Sequence, residues 1–151
     1  MKLFRITLAP YASDLSGRGA GLYGGRFNSV GTRVVYTSES RALALLETLA
    51  HRAPDIDEEE AYRLITIEVP KGAPTEDLAI ENLVEHWRDG SSARRLQLLG
   101  DAFVERNEAL LLRVPSVIMP EERNVIINPA HVDFASVKLG ASRALTFDAR
   151  L

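Results

Sequence analysis

Six of the chain's ten glycines, Gly17, Gly19, Gly21, Gly24, Gly25 and Gly31, fall between positions 17 and 31. Glycine weakens helices and strands but lets backbone turn through positive φ and approach a ligand closely, so the segment reads as a loop between two strands. A loop folded around a nucleotide or phosphate explains the crowding, and so does a mobile hairpin; composition alone supports both. Gly19-Ala20-Gly21-Leu22-Tyr23-Gly24 formally satisfies the dinucleotide fingerprint G-x-G-x-x-G. That fingerprint needs a strand immediately before it and a helix opening at its end, whereas Gly25, Asn28, Gly31 and a strand at Val34 follow here. No G-K-[ST] accompanies the glycines, which removes a P-loop.

The rest of the composition narrows the function classes. The 151 residues carry 18 Lys and Arg against 21 Asp and Glu, a net charge of −3, and no cysteine. Disulfides, thiolate metal sites and Cys nucleophiles are therefore out. The acidic balance argues against direct nucleic-acid binding, which rests on clustered cations. No apolar run nears the roughly 20 residues of a membrane span, and the N-terminus lacks a signal-peptide core. The expectation is one cytoplasmic domain over residues 1–151, read as full length, burying roughly 68–70% of its unfolded surface.

Periodicity predicts a mixed α+β domain. Leu3–Ile6 and Val34–Thr37 read as strands, and Ser38 or Ser40 caps a helix to about His51 with a stripe of Ala42, Leu45, Leu46 and Leu49. Arg63–Val69 alternates as a strand with Thr66 and Glu68 in water. The acidic run Asp55, Asp57, Glu58, Glu59, Glu60 reads as a solvated loop or helix end. Glu81–Arg88 reads as a short helix and residues 92–109 as a longer one, weakened by Gly100. Leu110–Val114, Ser116–Met119, Val125–Ile127, Phe134–Leu139 and Leu145–Phe147 suggest short strands.

Two residues stand out chemically. Arg26, within Gly24-Gly25-Arg26-Phe27-Asn28, offers a guanidinium suited to a bidentate grip on phosphate or carboxylate, or a surface ion pair. Glu47 lies beside the apolar stripe of its helix, either paired with Arg41 or His51 or set in a cleft wall for acid, base or cation-stabilising work. His51, His86 and His131 form no local ligand motif, so no metal is expected. Ser116 has no nucleophile-elbow context and defaults to a turn or strand edge; Trp87 reads as a core anchor.

Taken in order, Leu3-Phe4-Arg5-Ile6, Gly24-Gly25-Arg26-Phe27-Asn28, Val34-Val35-Tyr36-Thr37-Ser38, Leu45-Leu46-Glu47, Val114-Pro115-Ser116 and Asn124-Val125-Ile126-Ile127-Asn128-Pro129 resemble the RES-domain toxin family, named for an Arg, a Glu and a Ser. The resemblance continues through Gly100-Asp101-Ala102-Phe103, His131, Phe134 and Phe147–Leu151, departing at Phe27, where the family often carries Trp. It implies the toxin half of a bacterial toxin–antitoxin pair, a fold similar to the ADP-ribosyltransferase toxins, no cofactor, and NAD+ as substrate. The family's Arg falls on Arg26, to hold the pyrophosphate. Its Tyr falls on Tyr36, to stack on nicotinamide, its Glu on Glu47, to stabilise a ribosyl cation, and its Ser on Ser116, to bond a phosphate or the ribose. The implied partner is an Xre-like helix-turn-helix antitoxin that covers the cleft, and a homodimer within that complex is left open. The acceptor of the ADP-ribose, whether water, phosphate or mainly a protein target, is open too. The residues alone also allow a nucleoside or glycoside hydrolase with a second carboxylate, or a noncatalytic nucleotide-binding module.

Overall fold

A computed structural model of the chain describes residues 1–51, 62–83 and 85–151. The acidic run at Asp55–Glu60 lies outside the described residues. The elements are β1 (Lys2–Leu8), α1 (Arg18–Tyr23), β2 (Val35–Ser38), α2 (Arg41–His51), β3 (Tyr62–Glu68), β4 (Thr75–Asp77), α3 (Ala93–Arg106), β5 (Leu111–Pro115), β6 (Arg123–Ile127) and β7 (Lys138–Leu145). The strands form one sheet in the order β4-β5-β6-β2-β1-β3-β7, antiparallel throughout except for the parallel pair β4 and β5. This is the α+β class that the periodicity predicts.

Strand alternation divides the core between the two faces of the sheet. Leu3, Val35, Ile65, Ile67, Leu111, Val125 and Ile127 pack together on one face. Residues of the opposite parity, Leu112, Val114 and Ile126, meet Phe27, Trp87, Leu96 and Phe103 on the other, which α3 covers, while Phe4 and Leu64 pack on Ala44 of α2. Because this second face is covered, Leu64 and Thr66 are buried and only Glu68 of the expected water-facing set is exposed. Trp87 is the core anchor that its type suggests.

Several local expectations change. The glycine-rich segment contains a helix, α1, which tertiary contacts hold despite its two glycines. Ser40 caps the second helix, its Oγ accepting the Leu43 amide at 3.0 Å, but the buried residues of α2 are Leu43 and Ala44, while Ala42 is exposed and Leu45, Leu46 and Leu49 are half-buried. Glu81–Arg88 is not a helix: a 3-10 turn spans Ile80–Asn82, and His86 sits at φ 60°, which a right-handed helix cannot contain. The long helix stops at Arg106 because Asn107 adopts φ 52° and closes it with a left-handed cap. Ser116–Met119 is a turn rather than a strand, Phe134 lies in the 3-10 turn Val132–Ser136, and the strand expected at Leu145–Phe147 ends at Leu145.

Gly100, costly on propensity alone, has a packing reason. A Cβ there would lie 1.6 Å from the carbonyl oxygen of Phe27, so only glycine lets α3 seat against the loop that carries Arg26.

Candidate active site

β1 and β2 register only at Phe4 and Ser38. Next to this brief pairing lies a cleft of about 500 Å³ whose lining includes Arg5, Arg18, Arg26, Tyr36, Glu47 and Asn124. Arg26, Tyr36 and Glu47, singled out in the sequence, therefore converge.

The cleft wall is built by alternation. Tyr36 and Ser38 share a face of β2, opposite Ile126 and Asn124 of β6, and Asn124 is opposite Val114 of β5. Ser116 follows two residues after Val114. From α2, Glu47 reaches this wall one turn after Leu43 and shares its face with Thr48 and His51, which also line the cleft.

Glu47 is held through one oxygen. Ser116 Oγ donates to Glu47 Oε1 at 2.7 Å and Asn124 Nδ2 donates to the same atom at 2.6 Å. Oε2 has no hydrogen-bond partner among the described residues. The ion pairs that the sequence offered for Glu47 do not form: Arg41 stacks over the Phe4 ring at 4.2 Å, and His51 Nδ1 meets the Glu47 main-chain oxygen at 2.8 Å. Asn124 Oδ1 accepts in turn from Ser38 Oγ at 2.6 Å.

Ser116 is fully buried and does not line the cleft. Its oxygen accepts the amides of Ile118 and Met119, each at 3.1 Å, while its hydroxyl proton goes to Glu47. The expectation that it bonds a phosphate or the ribose is corrected by this placement. All its hydrogen-bonding capacity is spent inside the protein, on the Glu47 carboxylate and two main-chain amides.

Tyr36 lines the cleft with its ring, but its hydroxyl is also committed. It donates to Asn28 Oδ1 at 2.7 Å and accepts the Phe27 amide at 3.0 Å. Burial pushes this phenol up to about 12, partly offset by the Phe27 hydrogen bond, so it stays a neutral donor. A side chain at Gly25 would bring its Cβ within 2.7 Å of the hydroxyl, which explains that glycine beside Arg26. Asn28, completely buried, donates to the carbonyls of Ala20 at 2.7 Å and Thr32 at 2.9 Å. Asp101 fastens the loop from α3, accepting the Ser29 amide at 2.9 Å and the Ser29 hydroxyl. Desolvation raises the Asp101 carboxyl, but the hydrogen bonds from Ser29 and Thr32 and the nearby Arg94 outweigh it and leave the group below its ordinary value. The glycine-rich segment is therefore fastened by hydrogen bonds to Tyr36 of β2 and Asp101 of α3.

Arg26 sits on that loop, half-buried, with no side-chain hydrogen bond or ion pair among the described residues. A partly desolvated guanidinium in a cleft, without a partner among the described residues, has the chemistry to grip an anion. Arg5 and Arg18 add positive charge at the same cleft, with Arg5 Nη1 donating to the Asp14 carbonyl at 2.6 Å. Burial lowers the Arg5 guanidinium from its ordinary value, offset in part by Asp14. Arg5, Ser38 and Asn124 were missed as site residues. Arg5 reads as one polar position of a strand, and the meeting of Ser38 with Asn124 depends on a strand register 86 residues apart that no local signal encodes.

The RES domain family model matches residues 2–148. The chain belongs to the RES family. It is 42% identical over 143 residues to the "Prs ADP-ribosylating toxin" of Sphingobium sp. (strain YBL2), covering 93% of this chain and 88% of that one. It is 36% identical over 135 residues to "Toxin Res" of Photorhabdus laumondii, covering 89% and 85%. Among solved structures, the M. tuberculosis MbcT–MbcA toxin–antitoxin complex contains a chain matching at a TM-score of 0.77 and 23% identity, covering 96% of this chain and 84% of that one. That likeness shows a shared fold. The chain is a RES-type toxin, and no helix among its described residues is long and apolar enough to cross a membrane.

Proposed function

We propose that this RES protein cleaves NAD+ between nicotinamide and ribose and acts as a toxin until an antitoxin covers its cleft. The observation that carries the reading is Glu47, gripped through Oε1 by Ser116 and Asn124, with Oε2 left without a partner among the described residues in the cleft that Arg26 also lines. A noncatalytic nucleotide-binding module has no use for a carboxylate held in this way.

The chemistry follows from charge. The C1′–N bond breaks with its electron pair moving onto the pyridinium ring, so nicotinamide leaves neutral and needs no general acid. Positive charge develops on the ribose, and a preorganised carboxylate stabilises it. With water as acceptor, its oxygen bonds C1′ and the proton is released, giving ADP-ribose; phosphate or a protein side chain would take the same place. Arg26 holds the pyrophosphate, supported by the charge of Arg5 and Arg18, and the Tyr36 ring packs on the nicotinamide side. A cleft of about 500 Å³ is within the roughly 300–1,000 Å³ of ligand sites. The printed name of the Sphingobium relative supports ADP-ribosyl transfer as one outcome, and the M. tuberculosis complex supports an antitoxin partner. An Xre-like helix-turn-helix antitoxin and a cytoplasmic site of action accord with an enzyme that consumes a central cofactor.

Plating cells that carry inducible wild-type or Glu47→Gln chains tests the proposal. Wild type arrests growth, Glu47→Gln does not, and the product of the adjacent gene relieves the arrest. Equal arrest by both chains, or none from soluble wild type, contradicts it.

A further inference from the structure

We infer that Asn124 is a positioning residue for the Glu47 carboxylate, with Ser38 fixing the direction in which its amide faces; this rests on the NAD+-cleaving reading above. An ionised carboxylate only accepts hydrogen bonds, so the Asn124 group 2.6 Å from Glu47 Oε1 is the NH2. That leaves Oδ1 toward Ser38, whose hydroxyl must donate to it at 2.6 Å. The chain of donors therefore runs one way, from Ser38 through Asn124 to Glu47, with Ser116 entering from a second side.

Two donors on one oxygen do what a single donor cannot. A carboxylate held by Ser116 alone can pivot about that bond, whereas the second bond fixes the plane of the group and so the direction of Oε2. Asn124 is well placed to impose this. It lies on β6, between β5 and β2 in the sheet, at a position paired to both, and its backbone is fixed by that pairing. Glu47 comes from a helix, and three side-chain torsions separate its carboxylate from the backbone. The sheet thus supplies the rigidity that the helix residue lacks.

Kinetics of Asn124→Ala, Asn124→Asp and Ser38→Ala with NAD+, alongside crystal structures of wild type and Asn124→Ala, test the inference. Asn124→Ala lowers kcat by about ten- to a hundredfold, the range spanned by one hydrogen bond to a charged group, with KM within about twofold. Asn124→Asp keeps the shape and the Ser38 contact but sets a carboxylate against a carboxylate, so it is at least as impaired as Asn124→Ala. Ser38→Ala loses a few-fold in kcat. A residue that merely filled space would show the opposite order, with the isosteric Asp variant the milder. Wild-type kcat in Asn124→Ala, or a loss carried wholly by KM, overturns the inference. The Glu47 rotamer provides a readout independent of turnover. It moves in the Asn124→Ala crystal structure if the inference holds, and an unmoved carboxylate refutes it. Wild type that fails to cleave NAD+ would instead refute the functional reading.

Discussion

Replacing Tyr36 with Phe separates two tasks that the same side chain could perform. The aromatic ring remains, so stacking on nicotinamide survives, but the hydroxyl that ties β2 to the Arg26 loop is lost. Two groups lose their partner: the Phe27 amide, 3.0 Å from the hydroxyl, and Asn28 Oδ1, 2.7 Å from it in a fully buried side chain. Each buried polar group left unpaired costs roughly 1–3 kcal/mol. The pair should cost roughly 2–6 kcal/mol, a large part of the 5–15 kcal/mol typical of a domain. For a chain of this length that lowers the melting temperature by roughly 4–24 °C. Arg26 lies between Gly25 and Phe27 on the released backbone, so NAD+ affinity also falls. Thermal unfolding and calorimetric titration, the latter in a Glu47→Gln background to prevent turnover, measure both effects. A Tyr36→Phe chain with unchanged melting temperature and unchanged affinity would refute the anchoring role and leave ring stacking as the residue's whole contribution.

Arg26→Lys in the same background should weaken NAD+ binding by about ten- to a hundredfold, because Lys keeps the charge but not the planar fork; equal affinity by calorimetry would return Arg26 to a surface charge. Asp101 gives a pH signature. Its folded-state carboxyl titrates below its ordinary value, so it adds stability above the unfolded value of about 3.8 that is lost as pH falls through the depressed one. Asp101→Asn should be less stable than wild type near neutrality, with a gap that narrows in acid. A gap constant with pH would contradict the assignment.

The sequence made some parts of this legible for physical reasons. β1 and β2 are runs of apolar and β-branched residues, and Ser40 stands where an N-cap must, so these elements are local facts. Arg26, Tyr36 and Glu47 lie close in the chain, on the loop, the strand and the helix of one continuous unit, and the family resemblance marked each of them. The parts that failed depend on distant partners. α1 forms in a segment whose glycines disfavour helix, and Gly100 is explained only by the Phe27 carbonyl against it. The stripe of α2 departs from the periodicity because Leu43 and Ala44 are its buried residues while the equally apolar Leu45 and Leu46 are half-buried beside them. Ser116 looked like a substrate ligand because family membership names the residue but not the direction of its hydroxyl. Only the fold shows that hydroxyl turned inward onto Glu47.

The measurement that bears most directly on Glu47 as the reactive carboxylate is nicotinamide release from NAD+ by purified wild-type and Glu47→Gln chains, with and without phosphate and candidate protein acceptors, followed by chromatography. The amide keeps the length and both donor contacts of the side chain at Oε1 while removing the negative charge. The Gln variant should therefore melt within a few degrees of wild type yet release almost no nicotinamide, a loss of about a hundredfold or more in turnover if charge stabilisation dominates. Wild-type nicotinamide release from a well-folded Glu47→Gln chain would contradict the account.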